Sequence, residues 1–157
     1  MNKPASQNTV KVICIQRILP FYAVSVFEKL ARRTSLDFSL YFGTPSWHIP
    51  KLRSTEKLDQ LQSRYRKLYT LAYPVRYRNW MFPLVFNPSM LWYLIHDRPD
   101  VVICEGESNL LNNVFVIPYC LITRTPYIWW GLGRVNSRPE SPVRKLFRPI
   151  IRMMLRN

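Results

Sequence analysis

Residues 98–134, RPDVVICEGESNLLNNVFVIPYCLITRTPYIWWGLGR, contain the pattern that decides the fold. Two short apolar segments, residues 101–104 and 126–130, are typical of buried strands, and each runs into a turn that contains glycine. A segment of one helix length lies between them. The pattern predicts a β-turn-α-β unit, and open α/β sheets bind ligands just outside the carboxyl ends of such strands. The two turns are therefore the first candidates for a functional site.

The rest of the chain continues the alternation of strands and helices. Further strands are predicted at residues 10–15, 36–42 and 68–75. Helices are predicted at residues 22–33 and 142–156, and a further helix is predicted to begin at Asn87. Two more helices are predicted to begin at the N-cap residues Ser54 and Ser108. The inward residues of the helix capped by Ser54 would be Leu58, Leu61, Tyr65 and Leu68. Residues 76–86 show no clear period and are expected to be irregular. The predicted fold class is α/β, a Rossmann-like parallel sheet of about five strands with helices on both faces, in one domain over residues 1–157.

Positive charge is concentrated in two segments. The chain has 23 Lys and Arg against 9 Asp and Glu, a net charge of +14, and residues 51–78 and 135–157 hold +6 and +5 of it. Such patches attract polyanions, namely nucleic acid, anionic lipid headgroups or phosphorylated substrates. A solvated basic face without a dedicated partner is the alternative. A hydrophobic content of 48% indicates a folded chain.

Cysteine usage and hydropathy indicate the compartment. Cys14, Cys104 and Cys120 are widely spaced and form no CxxC or Cys/His cluster, which fits a reducing environment and predicts no metal site. The N-terminus is polar and lacks the apolar run of a signal peptide. No apolar stretch reaches the roughly 18 residues of a membrane span. We expect a cytoplasmic protein that can lie against the inner face of the membrane.

Common nucleotide and hydrolase motifs are absent. The turn QRILPFY after the first strand lacks G-x-G-x-x-G, and no GxxxxGK[ST], HExxH or GxSxG occurs. We therefore expect no nucleotide cofactor in the usual place. Arg17 and Tyr22 still follow the first strand, where a ligand of an open sheet binds, although Arg17 could equally be a surface charge.

The turn after residues 101–104 has several polar groups, Glu105, Gly106, Glu107, Ser108 and Asn109. Paired carboxylates can serve acid/base chemistry, but Glu107 also suits the first turn of a helix that starts at Ser108. Amide groups at that helix start can bind an anion or a sugar hydroxyl, and Asn109 can hydrogen-bond a polar ligand. Asn112 and Asn113 are expected on the solvated side of the helix.

The second turn, Gly131, Leu132, Gly133 and Arg134, lets the backbone approach a ligand closely. Arg134 could pair with a phosphate there, and a plain glycine turn is the alternative. Trp129 and Trp130 are expected to pack in the core and at the sheet edge rather than to form a ligand platform.

Residues 142–156 have the pattern of a basic amphipathic helix, interrupted by Pro149. Such a helix suits a membrane interface or a partner groove, and an ordinary helix with a charged outer face is the alternative. The expected membrane contacts are Arg144, Lys145, Arg148, Arg152 and Arg156.

Three segments, VKVICIQRILPFY, RPDVVICEGESNLLNN and TPYIWWGLGR, together resemble the N-terminal domain of family-4-type glycosyltransferases of the GT-B fold. The likeness extends over nearly the whole chain. It implies a two-domain enzyme whose N-terminal half binds the acceptor and whose C-terminal half binds a nucleotide-sugar, usually through an E-x7-E motif. Members transfer a sugar, commonly to a lipid-linked or cell-surface glycan acceptor at the cytoplasmic membrane face.

The resemblance implies acceptor-binding roles for Arg17, Tyr22, Glu105, Gly106, Ser108, Asn109, Gly131, Gly133 and Arg134. E-x7-E is absent, and Ala23 and Leu132 stand where relatives often have Arg and His. We therefore expect the acceptor-binding half of such an enzyme, or a truncated copy, inactive without the second domain that would bind the donor. The alternative is a non-catalytic basic module that binds anionic membrane or nucleic acid, although no nucleic-acid motif is recognisable.

Overall fold

The computed structural model of the chain describes residues 9–19, 23–43, 64–77, 80–106 and 109–130, and residue 149. Seven strands and three helices lie within these ranges. In chain order they are β1 Val10–Gln16, α1 Val24–Ala31, β2 Leu36–Gly43, β3 Arg64–Leu68, β4 Leu71–Tyr77, β5 Trp80–Phe86, α2 Ser89–Asp97, β6 Val101–Glu105, α3 Leu110–Thr123 and β7 Tyr127–Trp130.

Five strands form one parallel sheet in the order β3-β2-β1-β6-β7. The central strand β1 pairs with β2 on one side, where Val12 lies opposite Phe38, and with β6 on the other, where Val12 lies opposite Val101. The carboxyl ends of all five strands therefore meet at one edge. The strand order reverses between β1 and β6, which makes this the topological switch point of the sheet.

Helices cover both faces of the sheet, so the predicted Rossmann-like α/β class is confirmed. Successive residues of a strand point to opposite faces, and β1 is apolar on both. On one face Val12 and Cys14 pack in a cluster with Phe27 of α1. On the other face Ile13 and Ile15 pack in a cluster with α2 and α3, including Met90, Leu94, Val116 and Cys120.

The third strand of the sheet is not the one predicted. The strand predicted at residues 68–75 corresponds to β4, Leu71–Tyr77, which is not part of this sheet. The strand that pairs with β2 is β3, Arg64–Leu68, with Gly43 opposite Leu68. Tyr65 and Leu68 were expected to be inward residues of a helix capped at Ser54, and they lie in this strand instead; residues 54–63 are outside the described ranges. An edge strand has one partner and four of its five residues are exposed, so its sequence, RYRKL, lacks the apolar signature of a buried strand.

Residues 71–86 form an antiparallel hairpin of β4 and β5 rather than a strand followed by irregular chain. The expectation that residues 76–86 are irregular was wrong. Proline usually argues against a strand, yet Pro74 pairs with Pro83 in register. This ribbon has only two strands, so proline can occupy positions that need no hydrogen bond from the ring nitrogen. The hairpin packs on α3, where the Phe86 and Phe115 rings lie 5.0 Å apart.

The remaining elements follow the predictions closely. Helices α1 and α2 and strands β1, β2, β6 and β7 lie where they were expected. Helix α3 has Asn109 as its N-cap residue, one position after the cap expected at Ser108, which is outside the described residues. No helix in the described ranges has both the length and the apolar character needed to cross a membrane. The basic helix predicted at residues 142–156 lies outside these ranges except for residue 149.

All three cysteines are free and buried within this core. Burial raises the pKa of Cys14 and of Cys120 from 9.0 to about 12, and it also raises that of Cys104. In the unfolded chain these thiols ionise near their usual pKa, whereas in the folded chain they stay protonated to higher pH. The thiols therefore contribute full stability below about pH 9, and this contribution is lost as pH rises toward about 12.

We expect the free energy of unfolding to fall between about pH 9 and about pH 12, and to fall less steeply in a Cys14→Ala/Cys120→Ala variant, which lacks two of the titrating groups. Urea denaturation followed by circular dichroism across this pH range measures both slopes. The variant is less stable at every pH because it has smaller side chains in the core, so the slope rather than the absolute value is the readout. Identical slopes for the two proteins would contradict the assignment.

Candidate functional site

The candidate site lies at the carboxyl edge of the sheet, where β1 and β6 diverge. Ile15 pairs with Cys104, so the residues that follow these strands become neighbours. The backbone N–H of Arg17 donates a 2.9 Å hydrogen bond to Oε2 of Glu105, 88 positions away in the sequence. Open α/β sheets bind ligands in the crevice at such a reversal of strand order. The structure thus brings two sequence-predicted site residues together at the predicted edge; we call this place the β1–β6 crevice.

The side chain of Arg17, the residue that follows β1, has a hydrogen-bonding group without a partner among the described residues. Its Nε atom is buried and has no hydrogen-bond partner among the described residues. A buried donor without an acceptor is costly, because it has lost its water and gained nothing in return. An acceptor atom supplied by a ligand would satisfy it, which favours binding over the alternative of a plain surface charge.

Gly43, at the end of β2, lies against the same turn and was not predicted as a site residue. A Cβ atom at this position would lie 2.5 Å from the carbonyl oxygen of Arg17 and 2.9 Å from Nδ2 of Asn87. The crowding atom nearest to it is backbone and cannot easily move. Glycine is therefore required for β2 to end beside β1, and only the strand pairing reveals this.

Gly106 is held between the ends of β6 and β7. Its N–H donates to the carbonyl oxygen of Trp130 at 2.6 Å, and a Cβ atom here would lie 2.2 Å from Nε1 of Trp129. Trp130 packs against Phe27, with ring centroids 6.0 Å apart. Both tryptophans therefore serve packing, as expected, and the Trp129 indole fixes the position of the Gly106 turn.

A network of buried asparagines holds the Gly106 turn from the side of the core. Asn87, Asn109, Asn112 and Asn113 are all fully buried. The expectation that Asn112 and Asn113 face solvent was therefore wrong. Asn113 donates through Nδ2 to the carbonyl oxygens of Glu105 and Gly106, at 3.1 and 3.0 Å. These two carbonyls lie at the end of β6, and the amide gives them the partners that their burial requires.

Asn112 links α3 to the chain just before α2. Its Oδ1 accepts the backbone N–H of Asn87 at 2.8 Å, and its Nδ2 donates to Oδ1 of Asn87 at 2.8 Å and also to Asn109. Asn87 in turn donates to Oγ1 of Thr70 at 2.8 Å, beside the start of β4. Asn109, Asn112 and Asn113 fall at helical spacing with the core residue Val116, and this period was the available signal that they face inward.

Cys104 and Tyr127 complete the network as hydrogen-bond donors. The Cys104 thiol and the Tyr127 hydroxyl both reach Oδ1 of Asn113, at 2.8 and 3.1 Å. Burial is the main cause that raises the pKa of each group above its ordinary value, so both stay protonated at neutral pH. A protonated, fully buried thiol is a poor nucleophile, and Cys104 therefore has a structural role.

Asn109 differs from its predicted role as a direct ligand contact. Its side chain is buried, and its Nδ2 lies 3.4 Å from the sulfur of Cys104. The amide is thus engaged with protein groups, and its effect on a ligand would be through the position of the turn. Other predicted site residues lie outside the described ranges, namely Tyr22, Ser108, Gly131, Gly133, Arg134, Arg144, Lys145, Arg148, Arg152 and Arg156.

Known proteins offer no direct assignment. No family model, curated protein or solved structure matches the chain. Within the described residues, no group of three or more His, Cys, Asp or Glu side chains could hold a metal ion. A Rossmann-like sheet by itself supports many unrelated activities, so function has to be inferred from the β1–β6 crevice.

Asn112→Ala should lower the free energy of unfolding by about 2–4 kcal/mol, because it leaves the buried N–H and Oδ1 of Asn87 without partners. Chemical denaturation of the two proteins measures the difference. Leu121→Ala on the exposed side of the same helix is the control and should change stability by less than about 1 kcal/mol. Equal effects of the two substitutions would show that the network contributes no special stability.

Proposed function

We propose that the chain is the acceptor-binding half of a glycosyltransferase, which moves a sugar from a nucleotide-sugar to a lipid-linked or cell-surface glycan acceptor. The observation that supports this most is the bond between the Arg17 backbone and the Glu105 carboxylate at the switch point of the sheet. It holds the Glu105 carboxylate against the backbone of Arg17 at the crevice where ligands of this fold class bind. The sequence resemblance to acceptor-binding domains points the same way.

The chemistry of the crevice suits a phosphate-linked sugar. Arg17 offers a guanidinium whose buried Nε needs an acceptor, and phosphate oxygens are strong acceptors for arginine. The Glu105 carboxylate accepts hydrogen bonds, which is what a sugar hydroxyl donates. A sugar attached through phosphate or diphosphate to a lipid has both groups next to each other. We therefore favour an acceptor of this class over a neutral glycan.

The donor would bind elsewhere. The sequence contains neither G-x-G-x-x-G nor GxxxxGK[ST], and the resemblance places the nucleotide-sugar on a second domain. This half would contribute orientation of the acceptor hydroxyl toward the donor, which can lower a barrier substantially without any covalent chemistry. Stabilisation of the leaving diphosphate would come from the second domain.

Roles within the proposed site differ between its members. Arg17 and Glu105 would contact the acceptor, and the Gly106 turn would shape the floor of the crevice. Asn109 would position that turn from inside. Tyr22, Ser108, Gly131, Gly133 and Arg134 remain predicted acceptor contacts from the sequence.

Arg17→Gln should weaken acceptor binding by about tenfold or more, because it removes a charge-assisted hydrogen bond. A soluble short-chain prenyl diphosphate carrying N-acetylglucosamine is the probe, and isothermal titration calorimetry measures its affinity. Arg33→Gln, on the exposed turn after α1, is the matched control for charge and should leave the affinity unchanged. The inorganic diphosphate and the free sugar, titrated separately, show which part of the probe is recognised.

Three results would overturn the proposal. The first is that the chain binds neither this probe nor a set of related phosphate-linked sugars. The second is that Arg33→Gln weakens binding as much as Arg17→Gln, since general charge would then explain it. The third is steeply salt-dependent nucleic-acid binding without acceptor binding, which would support the basic binding module instead. A matching second domain should be needed for transfer, so the chain with donor and probe alone should form no product.

A further inference from the structure

A continuous apolar surface lies on the outer side of α2 and α3. A groove of about 670 Å³ runs between the two helices, and Ile95, Phe115 and Ile122 are among the residues that line it. Trp92 shares a second depression with Ile95 and extends the surface along α2. Ile122 is 83% exposed and Trp92 is 69% exposed. We call this region, Trp92, Ile95, Phe115 and Ile122 with the groove between the helices, the α2–α3 surface.

The surface continues onto the hairpin. Phe115 of α3 contacts Phe86 of β5, with ring centroids 5.0 Å apart. Phe86 pairs in register with Leu71, and Tyr73 stands two residues farther along the same face of β4. Leu71 is about half exposed, at 47%, and Tyr73 is 70% exposed. Apolar and aromatic groups of three separate elements thus form one patch, an arrangement that marks an interaction site more often than chance exposure does.

The charge around the surface is positive. Helix α3 has no charged residue over its 14 positions, and none of the described residues lining the groove is acidic. Arg98 lines the groove, and Arg124 is exposed at the end of α3. The two carboxylates at the end of α2 and just after it have partners of their own: Asp97 is engaged with the Tyr41 hydroxyl and with Arg66, and Asp100 accepts the backbone N–H of Lys11. The occupant of this surface should therefore be apolar inside and anionic at its boundary.

We propose that the α2–α3 surface docks on the surface of an anionic lipid membrane. A bilayer matches both properties at once, since aliphatic and aromatic side chains enter the interface while arginines meet lipid phosphates. The net charge of +14 strengthens attraction to any membrane that contains anionic lipid. The helices would lie on the bilayer. This docking goes beyond the proposed sugar transfer, and vesicle binding can be measured without acceptor or donor.

Flotation of the full chain with phosphatidylglycerol/phosphatidylcholine vesicles tests the proposal, with pure phosphatidylcholine vesicles for comparison. We expect partition onto the anionic vesicles and about tenfold weaker partition for Trp92→Glu/Ile122→Glu, which replaces two exposed apolar groups with negative charges. Val26→Glu/Ile128→Glu is the matched control. It changes two exposed apolar residues away from this surface, Val26 on α1 and Ile128 on β7, and adds the same charge, so it should weaken partition by less than about threefold.

A local probe separates insertion from simple charge attraction. All three native cysteines are buried, so Ile122→Cys and Val26→Cys can each be labelled with an environment-sensitive dye. A blue shift with anionic vesicles at residue 122 but not at residue 26 supports docking through this surface. Absence of vesicle binding, equal weakening by the two double variants, or equal dye shifts would overturn it. So would self-association of the free chain that only Trp92→Glu/Ile122→Glu abolishes, because a second copy would then be the occupant.

Discussion

The side-chain amide of Asn113 donates hydrogen bonds to the carbonyl oxygens of Glu105 and Gly106, and the carboxyl edge of the sheet depends on these two bonds. Where β6 ends, these two carbonyl oxygens face the start of α3, where Asn113 is buried. An unsatisfied buried carbonyl would cost as much as a lost hydrogen bond. The Asn113 amide satisfies both carbonyls, and its own oxygen accepts hydrogen bonds from the Cys104 thiol and the Tyr127 hydroxyl. The turn that bears the candidate site is therefore set by the core rather than by solvent.

The same network connects parts of the chain that are far apart in sequence. Asn112 joins the start of α3 to Asn87, and Asn87 reaches Thr70 at the start of the hairpin. Gly43 brings the end of β2 against both Asn87 and the Arg17 backbone. The backbone N–H of Arg17 completes this series of contacts through its hydrogen bond to the Glu105 carboxylate. Movement of any one of these turns would disturb the others, so the crevice is preorganised by shared hydrogen bonds.

The helices on the two faces of the sheet differ in what they leave exposed. Helix α1 completes an apolar layer with β1 and β2. Helices α2 and α3 complete the other layer, but they also present apolar side chains outward between arginines. Both helices begin at the carboxyl edge, and the groove between them is lined largely by residues near their C-terminal ends, such as Arg98 and Ile122.

The sequence by itself determined the elements with a strong period and the edge of the sheet that holds the candidate site. Residues 10–15 and 101–104 are rich in β-branched apolar side chains, and residues 36–42 and 126–130 are rich in aromatic and aliphatic ones; both compositions favour strands. Arg17 and Glu105 were found because they follow such strands directly. Only the tertiary structure decided which strand completes the sheet and how polar residues are used. The basic segment Arg64–Leu68 becomes a strand because β2 offers it a free edge, and the asparagines of α3 are buried because strand-end carbonyls need their amides. Those partners are distant in sequence, so local pattern could not reveal them.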